Sequence, residues 1–264
     1  MTSTIWILAV IGLALICGFL SWERRAAEPV LPLRLFRNSV FRVTSMLSLV
    51  TGVIMFGSII FLPQYLQLVR GISPTISGLR LLPLLTGMIV TSIGSGRLVT
   101  KLGRYKIFIV VGTGILTAGM ALLALIRVDT NSWVLSAMLF VVGFGLGLFI
   151  QNTILATQNG VGIADLGTAT SAVMFLRTLG GAIGASILGA IIIAYQRSHL
   201  AGDIERYGAH EGPRQTFTHG MDRAYLWAVP IGLVAFALSF FLREVRLRTT
   251  AATSARTATA ESPG

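Results

Sequence analysis

The polar side chains that could do chemistry in this sequence lie inside long apolar runs, where a charged or amide group is costly. Arg177 is the most informative of them, because it lies about nine residues into the apolar run 168–195. A guanidinium at that depth is a candidate for a functional site, here a polar pathway between helices. The alternative is an arginine whose long apolar stem lets the charge reach the nearer surface. The sequence leaves both interpretations open.

Three amide side chains are the other candidates for such a pathway. Gln151, Asn152 and Gln64 each lie near one end of an apolar run. They could line a polar cavity, or they could hydrogen-bond between neighbouring helices. We therefore expect any substrate pathway in this chain to draw on these three residues and Arg177.

No arrangement typical of an enzyme occurs in the sequence. There is no nucleophile–base pair, phosphate-binding loop or metal-ligand cluster near an apolar run, and Cys17 is the single cysteine. None of the ten acidic residues lies in the middle of a run, and the three histidines share the polar connection 196–223. We therefore predict that the protein is not an enzyme and uses no cofactor or metal.

These polar residues must be positioned by membrane helices. Of the 264 residues, 54% are hydrophobic and only 12% charged, and the mean hydropathy is +0.79, whereas soluble domains carry roughly 25% charged residues. The apolar runs approach the ~20 residues that a spanning helix needs, and they do not alternate as barrel strands do. We predict an all-α integral membrane protein with about seven transmembrane helices, at about 5–22, 43–66, 74–96, 107–126, 133–155, 168–195 and 224–242.

The basic residues predict the orientation of these helices. Thirteen lysines and arginines fall in the segments 23–42 and 97–106 and in the tail after residue 242, against six in the alternate connections. The positive-inside tendency therefore predicts a cytoplasmic C-terminus. The same topology accounts for the net charge of +11, so nucleic-acid binding is not expected.

Glycine spacing predicts close contact between helices. Gly143 and Gly147 form one Gly-x-x-x-Gly pair, and Gly180 and Gly184 form another. Small residues at this spacing let membrane helices approach closely. The contact surface could be static, or it could slide during a conformational cycle.

The strongest local motif lies in the connection between the third and fourth predicted helices. It consists of glycines and cations, namely Gly96, Lys101, Gly103, Arg104 and Lys106. The pattern resembles the cytoplasmic loop motif of the major facilitator superfamily, in the version carried by its second half. Thr100 stands where the first-half version usually has an acidic residue.

Further strings resemble the fourteen-helix drug:proton antiporter branch of that superfamily. They are the linker residues 28–38 and the segments 61–67, 71–74, 78–83 and 177–184, and the resemblance runs from about residue 5 to 245. It implies an extra transmembrane helix at 1–22 and a cytoplasmic linker at 23–42. It further implies the C-terminal six-helix bundle of a major facilitator fold at 43–242, before a cytoplasmic tail at 243–264 that we predict to be disordered.

By this resemblance, we expect a multi-pass protein of the cell membrane that acts in proton-coupled efflux of drug-like or amphipathic compounds by alternating access. Its expected partners are a small-molecule substrate, the lipid bilayer and an N-terminal bundle, supplied by a longer version of this chain or by another copy. The proton carrier is expected in that second bundle. The alternatives are a truncated remnant with a structural or partner-binding role, and an exporter of another small metabolite.

Overall fold

The computed structural model describes residues 33–245 and five isolated helical residues, Ile11, Gly12, Ala14, Gly18 and Ser21. The rest of the predicted first helix, the linker before residue 33 and the tail after residue 245 lie outside the described residues. Within 33–245 every regular element is helical and no strand occurs. The predicted all-α fold class is therefore confirmed for this part of the chain.

The first long helix begins at a side-chain cap. Helix α1 (Ser39–Leu68) follows a short 3-10 helix (Leu33–Arg37), and the side chain of Asn38 accepts hydrogen bonds from its first amides. The predicted third span is divided into α2 (Pro74–Leu79) and α3 (Leu82–Leu102). The two helices are separated by a turn at Arg80 and Leu81. Pro83 lies in the first turn of α3, where its missing amide proton costs no helical hydrogen bond.

Three more helices complete the described chain. They are α4 (Lys106–Leu123), α5 (Ser132–Gly160) and α6 (Leu166–Phe240), with a 3-10 turn (Ile163–Asp165) before the last. Gly208, at φ 85° and ψ 166°, divides α6 into a first arm and a second arm. The arms fold back on each other, since the Thr216 hydroxyl donates to the Asp203 carboxylate at 2.7 Å.

The polar connection 196–223, expected as a loop, is therefore helical except at Gly208. Its charged residues and histidines do not interrupt the helix, because they are exposed or partly exposed on the surface of two paired arms. The guanidinium of Arg223, for example, stacks 5.0 Å from the ring centre of Tyr195 across the pair. Thr216 and Thr218 are buried, and their hydroxyls donate to carbonyls of the same helix. Only glycine adopts such a positive φ without strain, so the chain reverses at that residue.

Five helices in the described part are long and apolar enough to cross a membrane. Because the last of them includes both arms of α6, they supply six segments that run alternately between two ends. We call one end the hairpin end: it holds the α1–α2 and α4–α5 connections and Gly208. The tail end holds the start of α1, the α3–α4 and α5–α6 connections and residues 240–245.

The six segments pack as a single bundle. Helix α1 lies along α6, α5 packs against both α3 and α4, and α4 also contacts the second arm of α6. A continuous apolar core joins these helices, with Leu66, Leu146 and Met221 fully buried. Large apolar side chains such as Ile89 and Leu233 remain exposed on the outside, as expected for helices surrounded by lipid.

Candidate functional site

Arg177 lies on the first arm of α6, at the level of Gly52 in α1. Its backbone carbonyl contacts Gly52 so closely that a Cβ on that glycine would overlap it. Gly52 is thirteen residues past the start of α1, which is about 20 Å along a helix. The side chain of Arg177 is half-buried, and the structure gives it no hydrogen bond or ion pair within the described residues.

The amide candidates lie in two different environments. Asn152 is fully buried and donates to the Ser95 hydroxyl of α3 at 3.0 Å and to the Leu148 carbonyl at 2.6 Å. Gln151 on α5 and Gln64 on α1 are exposed at the surface of the bundle. Asn152 therefore joins two helices, while the two glutamines are accessible from outside. No hydrogen bond in the described part of the chain joins the four candidates to one another.

One glycine seam joins α3 and α5. A Cβ on Gly143 would overlap the carbonyl of Leu84, and a Cβ on Gly147 would overlap the carbonyl of Met88. The seam is reciprocal, because a Cβ on Gly87 would come 2.6 Å from the Phe140 carbonyl oxygen. Thr91 reinforces it by donating to the Phe144 carbonyl at 3.1 Å. The backbones of these helices are thus in direct contact.

A second glycine seam joins α1 and the first arm of α6. Cβ atoms on Gly180 and Gly184 would overlap the carbonyls of Leu49 and Val53. Gly52 of α1 in turn contacts the Arg177 carbonyl of α6, so glycines of both helices contribute to the seam. This seam therefore sets the depth and orientation of the helix segment that carries Arg177.

The predicted loop motif forms the α3–α4 connection at the tail end. Gly103 has a φ of 69° and closes α3 by donating its amide to the Val99 carbonyl. Lys106 donates to the Phe240 carbonyl of α6 at 2.7 Å. Lys101 and Arg104 are exposed, and Gly96 has no neighbour close enough to meet a Cβ. The motif thus combines a turn glycine, a tether to α6 and two solvent-facing cations.

Sequence reasoning missed the contacts that this motif makes with residues 243–245. The Tyr105 hydroxyl accepts from the Val245 amide at 2.8 Å and donates to the Arg243 carbonyl at 3.3 Å, and Asn159 donates to the Val245 carbonyl at 2.9 Å. Burial raises the pKa of Tyr105, which maintains the neutral hydroxyl that makes both bonds. We call Tyr105, Lys106 and Asn159 the tail clamp.

A polar network at the hairpin end was missed as well. Arg70 donates to the Val128 and Thr130 carbonyls at 2.8 and 2.7 Å, and the Tyr65 hydroxyl donates to the Arg127 carbonyl at 2.6 Å. These bonds tie the end of α1 to the α4–α5 connection. The only sequence signal was a tyrosine and an arginine at the end of an apolar run, a pattern that interfacial anchoring explains equally well.

The chain is similar in sequence to several membrane transporters. A family model for the Major Facilitator Superfamily matches residues 1–185. An uncharacterised MFS-type transporter of Mycobacterium tuberculosis is 37% identical over 258 residues, which cover 90% of this chain and 37% of that protein. A multidrug transporter of Bacillus subtilis is 34% identical over 207 residues, which cover 76% of this chain and 37% of that protein. This chain therefore spans little more than a third of the length of these two relatives.

Two further similarities concern resistance and fold. A tetracycline resistance determinant of Streptomyces rimosus is 32% identical over 197 residues, which cover 74% of this chain and 56% of that protein. The crystal structure of a bacterial homologue of the human lysosomal transporter Spinster, inward-facing and occupied, matches with a TM-score of 0.64 at 15% identity. The match covers 82% of this chain and 52% of that one. At that identity the likeness shows the fold alone.

Proposed function

Because the chain belongs to the major facilitator superfamily, we propose that it forms the C-terminal six-helix half of a transporter that exports drug-like or amphipathic compounds by proton antiport. The observation that carries this proposal is the alternating six-segment bundle, which superimposes on about half of a solved transporter chain. The names of two relatives, a multidrug transporter and a tetracycline resistance determinant, support the choice of substrate class.

The mechanism follows from the rigidity of the bundle. Both glycine seams bring helix backbones into contact, so the segments move together rather than separately. Alternating access then requires a second bundle against which this one rocks, with the substrate between them. That second bundle is supplied by a longer version of this chain or by another copy. Arg177, Gln151 and Gln64 are the residues that we assign to the wall facing the substrate.

The proton carrier belongs, in this proposal, to the second bundle. The carboxylates of the described residues lie at the two ends of the segments and in their connections, with Asp222 on α6 near the hairpin end. A group that carries a proton across needs access to both sides in turn, which favours a position deeper in the membrane. This bundle therefore contributes substrate contacts and movement.

We assign the tail end to the cytoplasm. Seven basic side chains in the described part of this end are exposed, namely Arg34, Arg37, Arg42, Arg97, Lys101, Arg104 and Arg243. At the hairpin end four are exposed, namely Arg127, Arg197, Arg206 and Arg223, while Arg70 and Arg214 are bonded to backbone carbonyls. Lysines and arginines near helix ends are enriched on the cytoplasmic side of a membrane, where anionic lipid headgroups attract them. The test is a reporter that is active only in the cytoplasm. Fused after residue 242 it should be active, and inserted at Gly208 it should be silent. The reverse pattern would overturn the assignment.

The export proposal is tested in a chimera. Residues 43–245 replace the matching part of the Bacillus subtilis multidrug transporter, and substrate-dependent proton release is measured in vesicles. The chimera should export a compound that the parent exports, and the present chain alone should give no substrate-dependent proton flux. A chimera that reaches the membrane and is folded but does not export would overturn the proposal. Saturable flux from the chain alone would show that it carries its own coupling group.

A further inference from the structure

Two arginines of the hairpin end, Arg70 and Arg80, converge on the hydroxyl of Ser132. The Oγ atom of Ser132 accepts from the Arg80 Nη1 atom at 2.5 Å and from the Arg70 Nη2 atom at 3.5 Å. The sum of these two distances limits the separation of the two nitrogens to 6.0 Å. Arg70 follows α1, Arg80 lies between α2 and α3, and Ser132 is the first residue of α5. Three parts of the chain therefore bring together two like charges, which we call the arginine pair.

No carboxylate of the described residues is bonded to the arginine pair. The ion pairs found in this part of the chain involve other arginines. The acceptors of Arg70 and Arg80 are neutral groups, namely the backbone carbonyls of Val128 and Thr130 and the Ser132 hydroxyl. Both arginine side chains are partly buried, where like charges repel more strongly than in water. An anion that reached both guanidiniums would relieve this repulsion.

The carboxylate closest in sequence lines a different space. Asp129 lies between the two residues whose carbonyls Arg70 binds, but it lines a polar cavity of about 700 Å³ together with Arg127 and Asp222. In that cavity the guanidinium of Arg127 offsets part of its charge. The first turn of α5 adds a partial positive charge beside the arginine pair, since a helix dipole is positive at its N-terminus. The surroundings of the pair therefore favour an anion.

The arginine pair is bordered by exposed apolar side chains. Leu79 and Leu82 lie on either side of Arg80 in the sequence, and Trp133 follows Ser132; each is at least 50% exposed. Large apolar side chains on the outside of a membrane bundle face lipid, and tryptophan prefers the level of the lipid headgroups. Guanidinium groups bind phosphate through parallel N–H donors. A ligand with both a phosphate and acyl chains matches both features.

We infer that the arginine pair binds the phosphate of an anionic phospholipid such as phosphatidylglycerol. The two guanidiniums donate to the phosphate oxygens, and the Ser132 hydroxyl still has its own proton to donate. The acyl chains then lie along the exposed side chains of Leu79 and Leu82. The inference goes beyond the proposed function, because lipid binding requires neither transport nor a second bundle.

The test measures how often an anionic lipid lies next to Trp133. Two single-tryptophan versions of the full chain are placed in nanodiscs, one with Trp133 and one with Trp227, which is exposed on the second arm of α6. Phenylalanine replaces the other tryptophans. The nanodiscs contain phosphatidylcholine and a minor fraction of phosphatidylglycerol with brominated acyl chains, which quench the fluorescence of a tryptophan in contact with them. Phosphatidylglycerol should be enriched about tenfold or more at Trp133 and less than about twofold at Trp227.

Substitutions in the Trp133 version identify the groups that hold the lipid. Arg80→Gln should lower the enrichment about fivefold, as expected for the loss of one cation near a membrane surface. Arg80→Lys should retain part of it, because the charge remains. Arg197→Gln is the matched control, since Arg197 is an exposed arginine of the same end, and it should leave the enrichment unchanged.

Two competing ligands separate the phosphate from the acyl chains. Brominated diacylglycerol, which has the chains but no phosphate, should not be enriched at Trp133. Inorganic phosphate, added at constant ionic strength, should not remove phosphatidylglycerol from Trp133, because it lacks the chains. Removal by inorganic phosphate would show that the arginine pair takes a soluble oxyanion and would overturn the lipid assignment.

Three further results would overturn the site. They are equal enrichment at Trp133 and Trp227, enrichment of diacylglycerol at Trp133, and equal enrichment in Arg80→Gln and Arg197→Gln. If Arg80→Gln does not fold, Ser132→Asp replaces it: the new carboxylate would itself pair with the arginines and should abolish the enrichment, and unchanged enrichment would have the same meaning. Because the readout is lipid contact, these results leave the chimera experiment on export unaffected, and loss of export in the chimera would not bear on lipid binding.

Discussion

The backbone carbonyl of Leu84 occupies the space that a Cβ on Gly143 would need. The backbones of α3 and α5 therefore lie so close here that no side chain fits at Gly143. The same contact recurs between Gly180 and Leu49, where α6 meets α1. The stability of the bundle therefore depends on the absence of a methyl group at a few positions.

We predict that Gly143→Ala destabilises the bundle. The added methyl must displace the backbone of α3, and overpacking of this kind costs about 1–3 kcal/mol. The melting temperature in detergent micelles should fall by several degrees. Gly94→Ala is the control, since a Cβ at Gly94 would meet nothing within 4 Å and alanine favours helix. Equal melting temperatures for the two variants would show that the seam adapts freely.

We predict that Asn152 and Ser95 are energetically coupled. Their side chains bond across α5 and α3, and such bonds in membrane proteins contribute about 0.6 kcal/mol on average and up to about 1.7. In a double-mutant cycle, Asn152→Ala and Ser95→Ala should therefore be non-additive by that amount. Gln151→Ala, at an exposed position, should change the free energy of unfolding by less than about 0.5 kcal/mol. Strict additivity would mean that the bond contributes nothing.

We predict that Arg177→Gln impairs export without destabilising the protein. The guanidinium has no partner in the described residues, so its removal breaks no internal bond, yet it removes a charge that we assign to the substrate wall. In the chimera, transport should fall about tenfold while the melting temperature is unchanged. Arg197→Gln, at an exposed position on the same arm, should retain export. If both variants export equally, Arg177 does not face the pathway.

We predict that Tyr105→Phe releases the segment that the tail clamp holds. The substitution removes the hydroxyl that bonds to Val245 and Arg243, and each bond contributes about 1 kcal/mol. Limited trypsin digestion after Arg243 should therefore become at least several-fold faster. Tyr207→Phe removes a hydroxyl at the opposite end and should not change this rate. Unchanged cleavage in Tyr105→Phe would show that Asn159 and Lys106 suffice.

The membrane helices themselves could be predicted from the sequence, because hydropathy and capping are local properties. The runs predicted at 43–66, 107–126 and 133–155 each lie largely within one described helix. Polarity misled the prediction at 196–223: polar residues there suggested a loop, although both paired arms are helical up to Gly208 and beyond it. The spacing of the glycine pairs could be seen in the sequence, but the helices against which these glycines pack could not.

What the sequence determined by itself is the class of the protein: an all-α membrane bundle with close-packing glycines and a basic tail end. The tertiary structure decided which helices meet, that Asn152 bonds to Ser95 and that Tyr105 bonds to Val245, 140 residues away. It also decided that residues 126–129 and Asp222 share one cavity. Such contacts depend on the rotation and register of packed helices, and many arrangements satisfy the same apolar pattern, so only the folded bundle selects one.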